Sequence, residues 1–212
     1  MRPTHRWFDR ALLAVGALLV MAAAPAFAGT IIDEWATIAA PPPPKLAPVT
    51  VEPHTTALLM LDFMKQNCAK RPRCVASVPA VETLLAGARK AHVPVIYSII
   101  SHTTKADVLP QLAPIKGETA VQAGADKFLH TDLDKILAKK GIKTVIVVGT
   151  ASNGAVLYTA SEAAMRGLKV IVPVDGMSAA DPFAEKYAAW HLANAPTVGN
   201  HVTLTAISMV HF

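Results

Sequence analysis

The chain has 212 residues, of which 52% are hydrophobic and 17% charged, enough for one domain with a full-sized core. Its formal net charge is +5. No Lys/Arg-rich run is interleaved with aromatic residues, which argues against nucleic acid as a partner.

The first 28 residues have the three parts of a secretory signal peptide. Three arginines within residues 2–10 form a basic segment, residues 11–24 are an apolar run, and residues 26–28 are the small-x-small motif Ala-Phe-Ala. A membrane anchor is the alternative, but the apolar run is shorter than the roughly 20 residues that a spanning helix needs. We therefore expect cleavage after Ala28 and a periplasmic or secreted mature protein without a membrane partner. Because cleavage removes three Arg and one Asp, the formal charge should fall from +5 to +3.

The remaining chain divides into an arm and a domain. Residues 29–54 contain four consecutive prolines, Pro41–Pro44, and are predicted to form an extended N-terminal arm. Residues 55–212 are predicted to form the domain. Apolar runs in it predict strands, and segments with helical spacing predict helices. The predicted strands are 56–61, 93–100, 118–123, 144–148, 168–174 and 202–207, and the predicted helices are 78–92, 132–140, 154–166 and 182–193.

Strands that alternate with helices predict a three-layer α/β sandwich with a mostly parallel sheet. The clearest unit is residues 144–176, which reads as strand, turn, helix and strand. Asn153 is predicted to cap the helix that begins at Gly154. In parallel sheets the chemistry lies at the carboxyl ends of the strands, so the backbone N–H groups of the turn from Gly149 to Ala155 are a candidate anion or oxyanion site.

The two cysteines, Cys68 and Cys74, lie in the loop after the first strand of the domain. In an exported protein an even number of cysteines at short spacing predicts a disulfide. The alternative is that Cys68 is a nucleophile at the active edge, but a disulfide-bonded sulfur has no thiolate to offer.

Three motifs together resemble those of the isochorismatase-like hydrolases, also called cysteine hydrolases. They are ALLMLD, which ends at Asp62, ADKF, which contains Lys127, and GTASNGAVLYTASEAAMRGLKVIVPVDGMSA, which begins at Gly149. The resemblance covers about residues 55–207. It implies a six-stranded parallel sheet with helices on both faces, and an Asp–Lys–Cys triad whose thiolate attacks a carbonyl.

Carried over by motif, the triad falls on Asp62, Lys127 and Ala155. The resemblance also implies a non-proline cis peptide at Thr150–Ala151 and an oxyanion hole formed by the N–H groups of Ala151 and Ala155. Because dimers and tetramers are common in the family, we expect a homo-oligomer.

Ala155 departs from the family pattern, because a methyl group cannot attack a carbonyl. Three interpretations are open: a non-covalent hydrolase that resembles the isochorismatases proper, a relative that binds a small molecule without turnover, or a Cys-to-Ala variant of an amidase-type enzyme. Our hypothesis is an exported hydrolase of a small polar molecule that works by general acid–base chemistry through Asp62, assisted by Lys127 and the turn amides.

The other candidates concern substrate binding. Ser152 and Asn153 stand where the isochorismatases carry an aromatic and histidine-bearing turn, so the substrate is open. His102 ends a strand at the same edge and is either a substrate contact or a structural group. No His is placed by the sequence to activate Ser152 as a nucleophile. We expect no metal and no cofactor, because the chain lacks the Asp-x-His pair of metal-binding relatives and any dinucleotide or phosphate-loop fingerprint.

Overall fold

The computed structural model describes residues 29–212, so the predicted signal peptide lies outside the described residues. The chain divides into two units, Met1–Ala40 and Pro41–Phe212. The described part of the first unit contains one short helix, α1 (Ile31–Glu34). Asp33 Oδ2 accepts hydrogen bonds from the backbone N–H and the hydroxyl of Thr30, the residue before the helix. These two bonds lower the pKa of Asp33.

The second unit is built on a sheet of seven strands that pair only in parallel. The strands are β2 (Thr56–Leu61), β3 (Val95–Ile99), β4 (Thr119–Gln122), β5 (Thr144–Thr150), β6 (Lys169–Pro173), β7 (Met177–Ser178) and β8 (Val202–Thr205). Six of them lie in the order β4-β3-β2-β5-β6-β8, and β7 pairs with the end of β5. A separate two-stranded parallel sheet joins β1 (Val49–Thr50) to β9 (Val210–His211), so the end of the predicted arm is tied to the C-terminus.

Helices cover both faces of the sheet. They are α2 (Pro72–Lys90) on one face and α3 (Leu133–Lys139), α4 (Leu157–Met165) and α5 (Pro182–Asn194) on the other. Side chains of β2 alternate between the two cores, since Leu59 and Leu61 pack with α3, α4 and α5 while Leu58 and Met60 pack with α2. The predicted three-layer α/β sandwich with a mostly parallel sheet of about six strands is therefore confirmed.

Two predicted helix starts are wrong. The helix expected at residue 78 begins at Pro72, because proline is well suited to the first turn, where its missing N–H costs nothing. The helix expected at Gly154 begins as a π-helical turn, Ser152–Val156, and becomes α-helical only at Leu157. The predicted cap at Asn153 is therefore wrong: Asn153 lies inside the turn, and the residue at the N-cap is Ala151.

Glycine is required where β5 meets β2. Gly149 has φ +156°, and a Cβ at this position would lie 2.4 Å from the carbonyl oxygen of Leu61. The two strands therefore approach more closely than any side chain at residue 149 would permit. This approach brings the end of β2 against the turn that follows β5.

No helix within residues 29–212 is both long enough and apolar enough to cross a bilayer.

Candidate active site

Three strands deliver polar groups to one point at the carboxyl edge of the sheet. β2 ends at Leu61, which pairs with Ser98 of β3 on one side and Gly149 of β5 on the other. Asp62 therefore follows the central strand directly, with β3 and the end of β5 as its neighbours. This is the edge at which parallel α/β sheets place their chemistry.

Asp62 and Lys127 form a buried ion pair at this edge. Lys127 Nζ donates to Asp62 Oδ2 at 2.6 Å, and the lysine is 0% exposed. The ammonium also donates to the carbonyl oxygen of Gly124. The backbone of Lys127 is held against α4, because its N–H donates to Thr159 Oγ1 of that helix at 3.2 Å. The structure thus brings together the two charged residues that the sequence selected, and a charge pair so far from solvent is held by direct hydrogen bonds.

Asp62 is itself fixed in an uncommon conformation. Its φ is +56°, in the left-handed region that residues other than glycine seldom adopt. Its Oδ1 accepts a 2.6 Å hydrogen bond from the hydroxyl of Ser98. Local backbone strain of this kind is concentrated at functional sites, where the surrounding structure holds it in place.

The turn after β5 contains the cis peptide that the resemblance implied. The Thr150–Ala151 peptide is cis. The N–H groups of Gly154 and Val156 donate to the carbonyl oxygen of Ala151, whereas the N–H of Ala151 has no acceptor within residues 29–212. Ala155 lies in the π-helical turn with 4% exposure, and its methyl group packs in the core beneath α4. The turn can therefore offer hydrogen-bond donors, but its side chain at residue 155 offers no nucleophile.

The remaining predicted site residues, Ser152, Asn153 and His102, are not hydrogen-bonded to the Asp62–Lys127 pair within residues 29–212. Ser152 is fully buried, and its Oγ has no hydrogen-bond partner within the described residues. Asn153 is exposed. His102 follows β3 in an exposed turn with φ +61°, and within residues 29–212 its side chain makes no hydrogen bond to Asp62, Lys127 or the turn.

Cys68 and Cys74 are joined in a disulfide, with Cα atoms 5.3 Å apart. The bridge links a short 3₁₀ turn after β2 (Cys68–Lys70) to the first turn of α2. Since these are the only two cysteines of the sequence, the oxidised chain holds no thiol to act as a nucleophile. The alternative in which Cys68 is a nucleophile has no support in this arrangement.

Sequence reasoning missed three residues of the site. Ser98 is the one small polar residue in the run VIYSII, which includes β3, and a serine in an otherwise large-residue buried strand was the available signal. Thr159, which holds the lysine backbone, is a buried hydroxyl in an Ala-rich helix. Arg71, whose guanidinium contacts Thr150, precedes α2 and carried no pattern that would set it apart from a surface charge.

Comparisons with known proteins identify the family to which the chain belongs. The model of the isochorismatase domain matches residues 56–207. A secreted isochorismatase effector, Isc1, of Verticillium dahliae is 28% identical over 148 residues, which is 63% of this chain and 78% of the effector.

Two solved structures have the same fold. An isochorismatase-like hydrolase of Alkaliphilus metalliredigens superposes with a TM-score of 0.66 and 22% identity, covering 73% of this chain and 95% of that one. A cysteine hydrolase of Pseudomonas syringae gives a TM-score of 0.66 and 24% identity, covering 78% and 94%. The domain match covers most of the chain, and the chain belongs to the isochorismatase family.

Proposed function

We propose that the mature protein is an exported hydrolase of a small polar molecule and that it works by general acid–base chemistry without a covalent intermediate. Asp62 is the proton-transfer group, and Lys127 positions it and balances its charge. The observation that carries the proposal is the buried 2.6 Å pair of these residues at the carboxyl edge of the sheet.

Asp62 keeps capacity for a substrate proton despite its two partners. A carboxylate has about four lone-pair sites, and Ser98 and Lys127 use one on each oxygen. The carboxylate can therefore exchange a proton with a molecule bound above it while the same two partners hold its orientation. Fixed orientation matters because proton transfer needs the acceptor within hydrogen-bond reach of the reacting atom.

The absence of a nucleophile supports the non-covalent route. Ala155 occupies the place at which the family motif carries cysteine, and both cysteines of the chain are consumed in the disulfide. The free N–H of Ala151 is suited to stabilise negative charge that develops on a substrate oxygen, a contribution that needs no covalent bond.

Export rests on the sequence and on one relative. Residues 1–28 have the composition of a signal peptide, and the Verticillium relative is described as secreted. A disulfide between the turn after β2 and the first turn of α2 fits an oxidising compartment.

The test is a substrate screen with two point variants. The protein beginning at Gly29 is assayed against vinyl ethers, amides and small esters, alongside Asp62→Asn and Ala155→Cys. Asp132→Asn is the matched control, because Asp132 also pairs with a lysine but lies exposed on the surface. We expect Asp62→Asn to lower kcat about 10²–10⁴-fold on the best substrate, as for loss of a general acid–base group, and the control to leave it unchanged.

The outcomes distinguish the three interpretations of residue 155. Full activity of Asp62→Asn contradicts acid–base catalysis by Asp62. A gain of about a hundredfold or more by Ala155→Cys on the best substrate of the screen would instead identify a Cys-to-Ala variant of an amidase-type enzyme. Ligand binding without turnover in all variants would identify a binding protein that kept the fold.

A further inference from the structure

We propose that Arg71 determines the specificity of this site: its guanidinium binds a carboxylate group of the small molecule, and the Cys68–Cys74 disulfide holds it in position. The inference rests on the proposed function in assigning the molecule to the edge near Asp62. It adds the chemical class of that molecule, a carboxylate.

Arg71 reaches the same edge of the sheet from the loop that precedes α2. It is the N-cap residue of α2, and its Nη1 lies 3.4 Å from Thr150 Oγ1. Thr150 is the last residue of β5 and the first residue of the cis peptide. The Arg71 side chain is half-buried, and its guanidinium contacts the residue that precedes Ala151, whose N–H is unpaired.

Arg71 differs from the other arginines of the domain in having no carboxylate partner. Three of the four arginines within residues 29–212 form ion pairs: Arg73 with Glu185, Arg89 with Glu118, and Arg166 with Asp134 and Glu162. Within those residues, the only hydrogen bond of the Arg71 side chain is to Thr150. A guanidinium has five N–H donors, so four remain for a ligand.

Other donors at this point also have no acceptor. Ser178 pairs in register with Thr150, so the two side chains lie on the same face of the sheet. That is the α2 face, because Val148, two residues earlier in β5, packs in the core beside α2. The Oγ of Ser178 is buried without a hydrogen-bond partner in the described part of the chain. A carboxylate oxygen is an acceptor that would satisfy such donors.

A carboxylate fits this arrangement better than a doubly charged phosphate. The planar fork of arginine matches the two oxygens of a carboxylate. Within residues 29–212, no lysine or second arginine hydrogen-bonds to Thr150 or Ser178. One cationic group is therefore available, and it balances a single negative charge.

The disulfide restricts the loop that carries the arginine. Cys68 and Cys74 close a loop with a sequence separation of six, and Arg71 lies at its middle. Closing a short loop removes conformations from the segment between its ends. Arg71 is thus presented to the edge with fewer alternative positions, which lowers the cost of ordering it around a ligand.

The test uses two probes of equal shape and different charge, benzoate and benzamide, with binding measured by isothermal titration calorimetry. The variants are Arg71→Gln, Arg71→Lys and Cys68→Ser/Cys74→Ser. Arg73→Gln is the matched control, because it is a neighbouring arginine with its own carboxylate partner. Circular dichroism of every variant establishes that it is folded.

We expect benzoate to bind the wild-type protein more tightly than benzamide does. Arg71→Gln should weaken benzoate about ten- to a hundredfold, as for loss of a charge-assisted hydrogen bond, with little effect on benzamide. The affinity of Arg71→Lys for benzoate should lie between those of the wild type and Arg71→Gln. The double serine variant should bind benzoate more weakly than the wild type while remaining folded. Arg73→Gln should bind benzoate as the wild type does.

The proposal is overturned if benzoate fails to bind the wild-type protein, if it binds Arg71→Gln with unchanged affinity, or if Arg73→Gln weakens it equally. These binding results are independent of turnover. Arg71-dependent benzoate binding without hydrolysis of any screened compound would support this inference and contradict the proposed enzyme. Turnover that requires Asp62, with no Arg71-dependent preference for carboxylates, would do the opposite.

Discussion

Replacing Asp62 with Asn should lower the stability of the protein as well as its proposed activity, because it leaves Lys127 buried without a counter-ion. The lysine is 0% exposed, and its ammonium has hydrogen bonds to Asp62 and to one carbonyl oxygen within residues 29–212. An asparagine oxygen still accepts a hydrogen bond but carries no charge. Removing one partner of a buried ion pair typically costs about 3–5 kcal/mol. For a domain of this size that cost corresponds to a fall in Tm of roughly 6–20 °C.

The assay is urea unfolding of Asp62→Asn, Lys127→Met and the double variant, followed by circular dichroism. Lys127→Met removes the opposite charge, so each single variant leaves one uncompensated charge and the double variant leaves none. The double variant should therefore be more stable than the sum of the single losses predicts, by more than about 0.5 kcal/mol. Asp132→Asn, at an exposed pair of the same two residue types, should leave the transition where it is in the wild type.

Two results would refute this reasoning. The first is a loss below about 1 kcal/mol for Asp62→Asn, the range of exposed pairs. The second is strict additivity of the two single variants, which would mean that the charges do not depend on each other. The same measurements also show whether the Asp62→Asn variant is folded in the absence of urea at the temperature of the activity assay, so that its loss of activity can be assigned to chemistry.

Three further predictions concern other parts of the domain. Gly149→Ala should lower Tm strongly, because its Cβ would meet a β2 carbonyl oxygen at 2.4 Å, whereas Gly154→Ala, with 3.9 Å to its nearest neighbour, should not. Burial raises the pKa of Tyr97 in the folded protein, so folding favours its neutral form. Its contribution to the free energy of unfolding is therefore complete below about pH 10 and is lost at higher pH, by at most about 1.4 kcal/mol per pH unit. The loss of stability between pH 9 and 11 should therefore be shallower in Tyr97→Phe. Replacing Cys68 and Cys74 by Ser should cost about 2 kcal/mol in urea unfolding.

Much of the fold could be predicted because its strands are continuous apolar runs. The run from Thr56 to Leu61 is buried at all six positions, which is the pattern of a central parallel strand with both faces covered. The positions of Asp62 and Lys127 followed from the motifs that contain them. Their direct contact depends on the segment between β4 and α3 folding back over the edge, a long-range arrangement that local pattern does not specify.

The site residues that sequence reasoning missed depend on contacts between distant segments. Arg71 contacts Thr150, 79 residues away, and Ser98 of β3 donates to Asp62 at the end of the neighbouring strand β2, 36 residues away. The predicted cap at Asn153 failed because the chain enters α4 through a π-helical turn, a geometry that helical propensity does not distinguish from an α-helical start. Local patterns locate the elements, whereas partners of single polar side chains are set by the packing of elements.

The charges of Asp62, Lys127 and Arg71 bear on the proposal that the ligand is a carboxylate. Asp62 and Lys127 neutralise each other, and the disulfide removes both thiols as sources of negative charge. Arg71 adds one positive charge that no carboxylate of the described chain balances. These three side chains therefore carry a net charge of +1, and the matching negative charge can come from solvent ions or from the ligand. A carboxylate on the ligand would supply that charge directly at the guanidinium, and the neutral Asp62–Lys127 pair leaves no net charge to repel it.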